Sequence, residues 1–308
     1  MNIYFIYRKS QENLGSIKMR VFQMKEMLEN KFPKIDTIGI YSAKPQFLHV
    51  LWFLKIKNKS IIIFNKDAID RVSLKVVDTL RKRGIKVGID VLDKDMNYFD
   101  YRKIDFIIAS SQRQFRYLNS VVKTVSSNPS VYYIPHQADI RLRNLKPESM
   151  PGKKSKKIFY FGEHTNIYIP SKYLEYVTIL PYRGKMGSSD INEMNQYQFQ
   201  YCIRGPQQNT SLYIFKPITK LINSLYLGAL PIISFDMEDA VDILGKKYPL
   251  TLREYSEAGF QELFELIGNA DDDTLMQSMK CMEELRSVHG FKAVEKSFTN
   301  CISSLNAN

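Results

Sequence analysis

The chain has 308 residues, 44% of them hydrophobic and 25% charged, with no low-complexity tract. That composition excludes a disordered or collagen-like protein and is enough for two domains of ordinary size. An excess of 44 Lys and Arg over 32 Asp and Glu leaves a net charge of +12, which suits a polyanion, an anionic membrane surface or a phosphorylated substrate.

Cys202, Cys281 and Cys301 are far apart and show no CxxC spacing. Neither a metal site nor a disulfide framework is implied, and a reduced, cytoplasmic setting is expected. The apolar runs Phe47–Leu54 and Leu225–Phe235 are too short to span a bilayer, so membrane contact, at the inner face, would be peripheral. Lys and Arg are scattered, with local runs only at Arg81-Lys82-Arg83 and around Lys153–Lys157. With no helix-turn-helix or RNP-type pattern, nucleic acid is not an expected partner.

In chain order, Ile3–Tyr7 (IYFIY) reads as a buried strand, followed by a polar loop with Gly15 and a helix from Ile17 to Phe32. Thr37–Tyr41 is strand-like, Gln46–Lys55 helical, and Ser60–Phe64 (SIIIF) a buried strand. Arg71–Arg83 is an amphipathic helix stopped by Gly84, before a strand at Lys86–Val91. Ile104–Ala109, a helix from Gln112 to Val122, and Val131–Ile134 complete this half. The alternation predicts a mostly parallel sheet covered on both faces. Its strand ends carry Asn65, Lys66, Asp67, Asp90, Asp93 and Ser110, where ligands approach such sheets. The first loop lacks G-x-G-x-x-G, which argues against a dinucleotide here.

From Arg141 to Lys157 the chain turns polar and basic around Pro147, Pro151 and Gly152, the composition of a linker. A second α/β half follows. Lys157–Phe161 (KIFYF) and Tyr176–Leu180 read as strands, Tyr182-Arg183-Gly184 as a turn, and Asp190–Asn195 as a polar stretch before a strand at Tyr197–Ile203. Tyr213–Ser234 (YIFKPITKLINSLYLGALPIIS) combines a helix opened by Pro217, a Gly-Ala-Leu-Pro turn and a buried strand. Lys216, Thr219 and Lys220 cluster at the helix start, where unpaired N–H groups and the dipole favour an anion. Asn223 lies one turn further on. Arg204, at a strand end, offers a guanidinium suited to a diphosphate. Glu238 and Asp239 suit ribose hydroxyls or, equally, the N-terminus of their own helix. Tyr248–Thr251 is a last short strand, and helices follow; Asp271–Asp273 read as a cap cluster.

Several of these segments resemble the GT-B glycosyltransferases. Ile134-Pro135-His136-Gln137-Ala138-Asp139 resembles the IPxxxD segment that ends their first domain, and Ile107–Ser111 (IIASS) the strand-and-serine segment before it. Phe161-Gly162-Glu163 resembles the glycine loop facing the donor phosphates, to which His164 could donate. The pattern KPxTKLxNxxxxGxxPII resembles the donor-binding helix and strand. The resemblance implies two Rossmann-like domains with parallel sheets facing across a cleft. It places an acceptor-side domain at 1–140, a linker at 141–157, a donor-binding domain at 158–290, and a C-terminal helix at 291–308 that crosses back to the first domain.

The same resemblance implies sugar transfer from a nucleotide-diphosphate donor to an acceptor hydroxyl, in surface glycan or polysaccharide synthesis. The acceptor would be a glycan or a lipid-linked glycan. Donor contacts fall to Gly162, Glu163, His164, Arg204, Lys216, Thr219, Lys220, Asn223 and Glu238, with cations in place of a metal and no cofactor. An inverting reaction needs a general base, for which Asp93 and Asp67 are the carboxylates near strand ends. The chain departs from the large retaining family, whose paired glutamates fall on Lys216 and Ser224 here. It is also similar to GDP-sugar fucosyltransferases at Tyr197–Cys202, Thr219-Lys220 and Gly228–Pro231, without their Thr-Glu-Lys glutamate. A nucleotide-sugar epimerase and a non-enzymatic phosphate- or nucleic-acid-binding protein are the alternatives.

Overall fold

The computed structural model describes residues 1–41, 53–93, 99–145, 155–182, 186–206 and 215–307. The expected helix at Gln46–Lys55 and turn at Tyr182-Arg183-Gly184 lie largely outside them. Two compact units divide the chain, one built from Met1–His136, Ser211–Pro217 and Val294–Asn308, the other from Gln137–Thr210 and Ile218–Ala293.

The first unit contains β1 (Ile3–Arg8), β2 (Ile35–Ile40), β3 (Ile61–Asn65), β4 (Lys86–Asp90), β5 (Phe106–Ala109) and β6 (Ser130–Tyr133). They form one sheet in the order β2-β1-β3-β4-β5-β6, every pairing parallel. Ile3 sits between Ile35 and Ile61 in the register. β3 is buried along its whole length, as the unbroken run Ile61–Phe64 requires of a strand covered on both faces.

The helices of this unit are α1, α2 (Leu74–Lys82) and α3 (Gln112–Val122). α1 runs through Gly15–Ile17, a wider π-type segment Lys18–Gln23, and Met24–Leu28. α2 turns Val77 and Leu80 inward. α3 begins at Ser111, whose hydroxyl accepts from the Gln114 N–H at 3.2 Å.

Arg20, on the π-type segment, is 1% exposed. Its Nε donates to Asp90 Oδ2 at 2.8 Å, and its Nη1 and Nη2 donate to the carbonyls of Pro135 and Ile134 at 3.0 and 3.3 Å.

The second unit contains β7 (Ser155–Phe161), β8 (Val177–Leu180), α4 (Ser188–Met194), β9 (Tyr197–Tyr201), α5 (Thr219–Leu227) and β10 (Leu230–Ser234). It continues with α6 (Glu238–Leu244), β11 (Thr251–Leu252), α7 (Glu257–Gly268) and α8 (Asp272–His289). The sheet is again parallel, in the order β11-β10-β9-β7-β8.

Where the sequence suggests only a polar stretch, α4 forms, because Asp190 accepts from the Gly187 N–H at 2.6 Å while Ile191 and Met194 turn inward. α5 starts at Thr219, two residues after Pro217, and ends at Gly228, whose φ of +60° favours glycine. The Asp271 side chain accepts from the Thr274 N–H at 2.8 Å, so that carboxylate caps α8.

A last helix, α9 (Phe291–Ala307), packs against the first unit's sheet and the turn that follows α1. Phe298 is 1% exposed, its ring 6.0 Å from that of Phe5 and 5.8 Å from that of Phe32. Glu295 pairs with Lys31 at 3.6 Å, and the Ser304 and Tyr132 hydroxyls meet at 3.1 Å. Phe298→Ala should therefore destabilise the first unit by about 3–5 kcal/mol, measured as a lower urea midpoint.

Candidate functional site

In the second unit the chain passes from β7 to β8 on one side and then returns to place β9 on the other. The loops leaving the carboxyl ends of β7 and β9 therefore diverge, which opens the crevice where parallel α/β sheets take ligands. The β7 loop is Gly162-Glu163, running into the single turn His164–Asn166. The β9 end is Cys202-Ile203-Arg204, and the chain beyond it returns as α5.

Lys220, on the first turn of α5, reaches back to the β7 loop. Its Nζ donates to Tyr160 Oη at 3.0 Å and lies 4.4 Å from the centre of the Tyr160 ring. The Tyr160 hydroxyl donates onward to the Glu163 carbonyl at 2.6 Å. Gly162 makes room for the lysine, since a Cβ there would stand 2.7 Å from Lys220 Cε. Its φ of +151° is in any case costly for any other residue.

Arg204 acts electrostatically on the same atoms. Burial raises the Tyr160 phenol well above the ordinary tyrosine range, and the Arg204 charge opposes the shift. Burial likewise pushes the Cys202 thiol up to about 12, against the pull of Lys220 and Arg204. Two cations from separate elements thus converge on the β7–β9 junction. Beyond Arg204, Tyr255 Oη lies 2.9 Å from the Arg204 carbonyl, 3.0 Å from Ser234 Oγ and 2.8 Å from Asp236 Oδ1. The carboxyl ends of β9 and β10 are tied there to the start of α7.

The other expected donor residues are distributed as follows. Glu163 and His164 are exposed on the β7 loop, and Thr219 is the partly buried first residue of α5. Asn223, one turn into α5, accepts at Oδ1 from the Asp139 N–H at 3.0 Å. Glu238 is exposed at the start of α6, beyond the carboxyl end of β10, and Asp239 beside it is buried. Lys216 belongs to the first unit, where the ring of its neighbour Phe215 lies 5.0 Å from that of Tyr117, tilted by 34°.

Asp67 and Asp93 lie at the carboxyl ends of β3 and β4 in the first unit. Asp67 is ion-paired with Arg8, and Asp93 with Lys66 at 2.9 Å. Lys66 and Leu92 hold φ values of +51° and +55°, a left-handed backbone that L-residues adopt at a cost. Asn65, 1% exposed, has no hydrogen-bond partner for its side-chain amide among the described residues. Tyr160 and Tyr255 were missed as site residues, because a tyrosine in an apolar strand or before a helix reads as packing. Among the described residues no group of three or more His, Cys, Asp or Glu could hold a metal ion, and no helix is long and apolar enough to cross a membrane.

No protein-family model and no curated protein matches the chain. Among solved structures it is similar to an alpha-glucosyltransferase in complex with UDP and a 13-mer DNA containing an HMU base. That match has 13% identity and a TM-score of 0.63, over 98% of this chain and 99% of that one. It is similar to an alpha,alpha-trehalose-phosphate synthase (UDP-forming) from Burkholderia vietnamiensis at 7% identity and a TM-score of 0.61, over 100% of both chains. It is also similar to Anabaena HepE in complex with UDP-glucose at 10% identity and a TM-score of 0.58, over 99% and 100%. The fold is that of the GT-B glycosyltransferases.

The first of these matches corrects the expectation of no nucleic-acid partner. That exclusion rested on scattered basic residues and the lack of a dedicated reading motif. Most protein–DNA hydrogen bonds go to phosphate and sugar, so such a motif is not required for DNA to bind, and a protein of this same fold was solved with DNA bound.

Burial also raises the phenols of Tyr160, Tyr201, Tyr248 and Tyr255 above the ordinary range. Their folded values exceed the unfolded ones, so the stabilisation is complete below pH ~10 and is lost as pH rises above it. A spectrophotometric titration at pH ~11 should find at least four fewer tyrosinates in the native than in the urea-unfolded protein, and the urea midpoint should fall over the same range.

Proposed function

We propose that the protein is a glycosyltransferase that moves a sugar from a nucleoside-diphosphate donor to an acceptor hydroxyl, with the donor diphosphate held on the second unit. The observation that carries this reading is the convergence of Lys220 and Arg204 at the β7–β9 junction, with Gly162 opening the backbone beside the lysine. The two cations neutralise the diphosphate and, as the glycosidic bond breaks, stabilise the charge that develops on the leaving group. Thr219 and the N–H groups at the start of α5 add donors. Glu163 and His164 flank the β7 loop, and Glu238 is placed for the ribose hydroxyls. Asn223 supports the site from behind through Asp139.

The fold is shared with proteins solved with UDP or UDP-glucose, which favours a uridine or similar nucleotide. A thermal-shift panel of UDP, GDP, CDP and dTDP should show a rise with at least one of them. Lys220→Ala should abolish that rise while leaving the melting temperature of the ligand-free protein within a few degrees. An undiminished shift in the variant would put the pocket elsewhere. Transfer should survive EDTA; activity lost to EDTA and restored by manganese would sink the metal-independent reading.

For the acceptor, a hydroxyl of a growing glycan is the reading the sequence supports. A hydroxymethylated base in DNA is favoured by the structural match to the DNA-bound glucosyltransferase and by the charge of +12. Labelled sugar moved from the donor that scores in the panel to hydroxymethyluracil DNA, to glycan, or to neither separates the two. A donor converted to an isomeric sugar with no acceptor present would favour the epimerase reading. For an inverting reaction, Asp93 or Asp67 supplies the base, released from its lysine or arginine partner when the acceptor binds. Asn at the correct position should lower kcat about 10²- to 10⁴-fold with little change in donor affinity.

A further inference from the structure

We infer that Tyr160 is the positioning residue that aims Lys220 at the donor diphosphate, so that diphosphate affinity depends on one phenolic oxygen in the strand behind the lysine. The inference rests on the donor site proposed above. A lysine on an exposed helix turn is a flexible point charge with about 2 kcal/mol of rotamer entropy to lose on binding. Here that freedom is already curtailed. The Lys220 stem crosses the backbone of Gly162, where a Cβ would come within 2.7 Å of Cε and 3.3 Å of Nζ.

The ammonium donates to Tyr160 Oη at 3.0 Å. The tyrosine cannot answer with its own proton, because that proton is directed to the Glu163 carbonyl at 2.6 Å. The phenol is therefore a pure acceptor toward the lysine, and its ring is fully buried in β7. Burial also holds it neutral, so the arrangement does not switch off in the physiological range. An ammonium has three donors, and the bond to Tyr160 takes one of them in a fixed direction. The same hydroxyl fixes the carbonyl of Glu163, so the cation and the loop that carries Glu163 and His164 share one anchor.

The arrangement has a chemical corollary. Lys220 held in this way distinguishes ligands by their phosphate groups rather than their base, and its partner should matter for diphosphates more than for monophosphates. The experiment is calorimetric titration of wild type, Tyr160→Phe, Lys220→Met and the double variant. The titrants are UDP, GDP, CDP and dTDP, the monophosphate of whichever binds best, and inorganic pyrophosphate.

The expected result is about a 10-fold loss of diphosphate and pyrophosphate affinity in Tyr160→Phe, the size of one hydrogen bond to a charged group. Monophosphate affinity should change less than 2-fold, and Tyr160→Phe should cost nothing further in the Lys220→Met background. A wild-type-like Tyr160→Phe overturns the inference, as does an equal loss for monophosphate or a full additional loss without the lysine. Either of the last two would mean the phenol serves packing alone. Wild type that binds none of the probes overturns the donor-site reading together with this one. Unfolding midpoints of all four proteins guard against a general loss of fold, and pyrophosphate tests the lysine without any base contact.

Discussion

Every strand pairing in both sheets is parallel, and this constraint decides where chemistry can happen. A parallel strand must be followed by a crossover before the chain can return, so all turns into crossovers collect at the carboxyl edge. Where the chain reverses its direction of travel across the sheet, two adjacent loops part and leave a gap. In the second unit the gap opens between β7 and β9, and the sequence fills its rim with Gly162, Arg204 and the start of α5. In the first unit the reversal is between β1 and β3, and Arg8, Lys66, Asp67 and Asp93 gather there in ion pairs. The backbone after β3 and β4 is left-handed at Lys66 and Leu92, a cost that stable packing alone does not call for.

The buried ion pair of Arg20 with Asp90 shows how the first unit holds this edge. Taking a guanidinium out of water costs several kcal/mol, which is recovered only with good geometry and with its remaining donors satisfied. Arg20 meets the condition by using Pro135 and Ile134 as well as Asp90. Three elements that are far apart in sequence thereby meet at one side chain. Its contribution is better described as fixing the positions of α1, β4 and the chain after β6 than as adding net stability.

Much of the layout was legible from residue types. The runs IYFIY, SIIIF, IDFIIA and KIFYF lie within β1, β3, β5 and β7 or overlap them closely, because strands buried on both faces need unbroken apolar sequence. α4 was not legible, because its signal is an Asp at the third position and only two inward residues, spread through Ser, Asp and Asn. In the site, the pairing of Gly162 with Lys220 could be anticipated as two features of one loop-and-helix motif, though not as a contact between side chain and backbone. Asn223 was placed among the donor residues by position, and its contact with the Asp139 N–H left no mark in the sequence. Tyr160 left no trace in the sequence, since what sets it apart is the three-dimensional meeting of its hydroxyl with a lysine 60 positions away. The nucleic-acid question was misjudged from charge spacing, a property that says little about phosphate contacts made from several elements at once.

The packing of α9 on β1 and the turn after α1 also has a consequence in time. Phe298 supplies a ring to both Phe5 and Phe32 from the far end of the sequence. As the chain emerges from a ribosome, β1 to β6 appear before α9, and the surface they present to it stays open until that helix has been made. The second unit, whose elements end at Ala293, can close before that. Of the two units, the one that begins earlier in the chain is completed later, and its apolar face waits through the synthesis of the other for its partner.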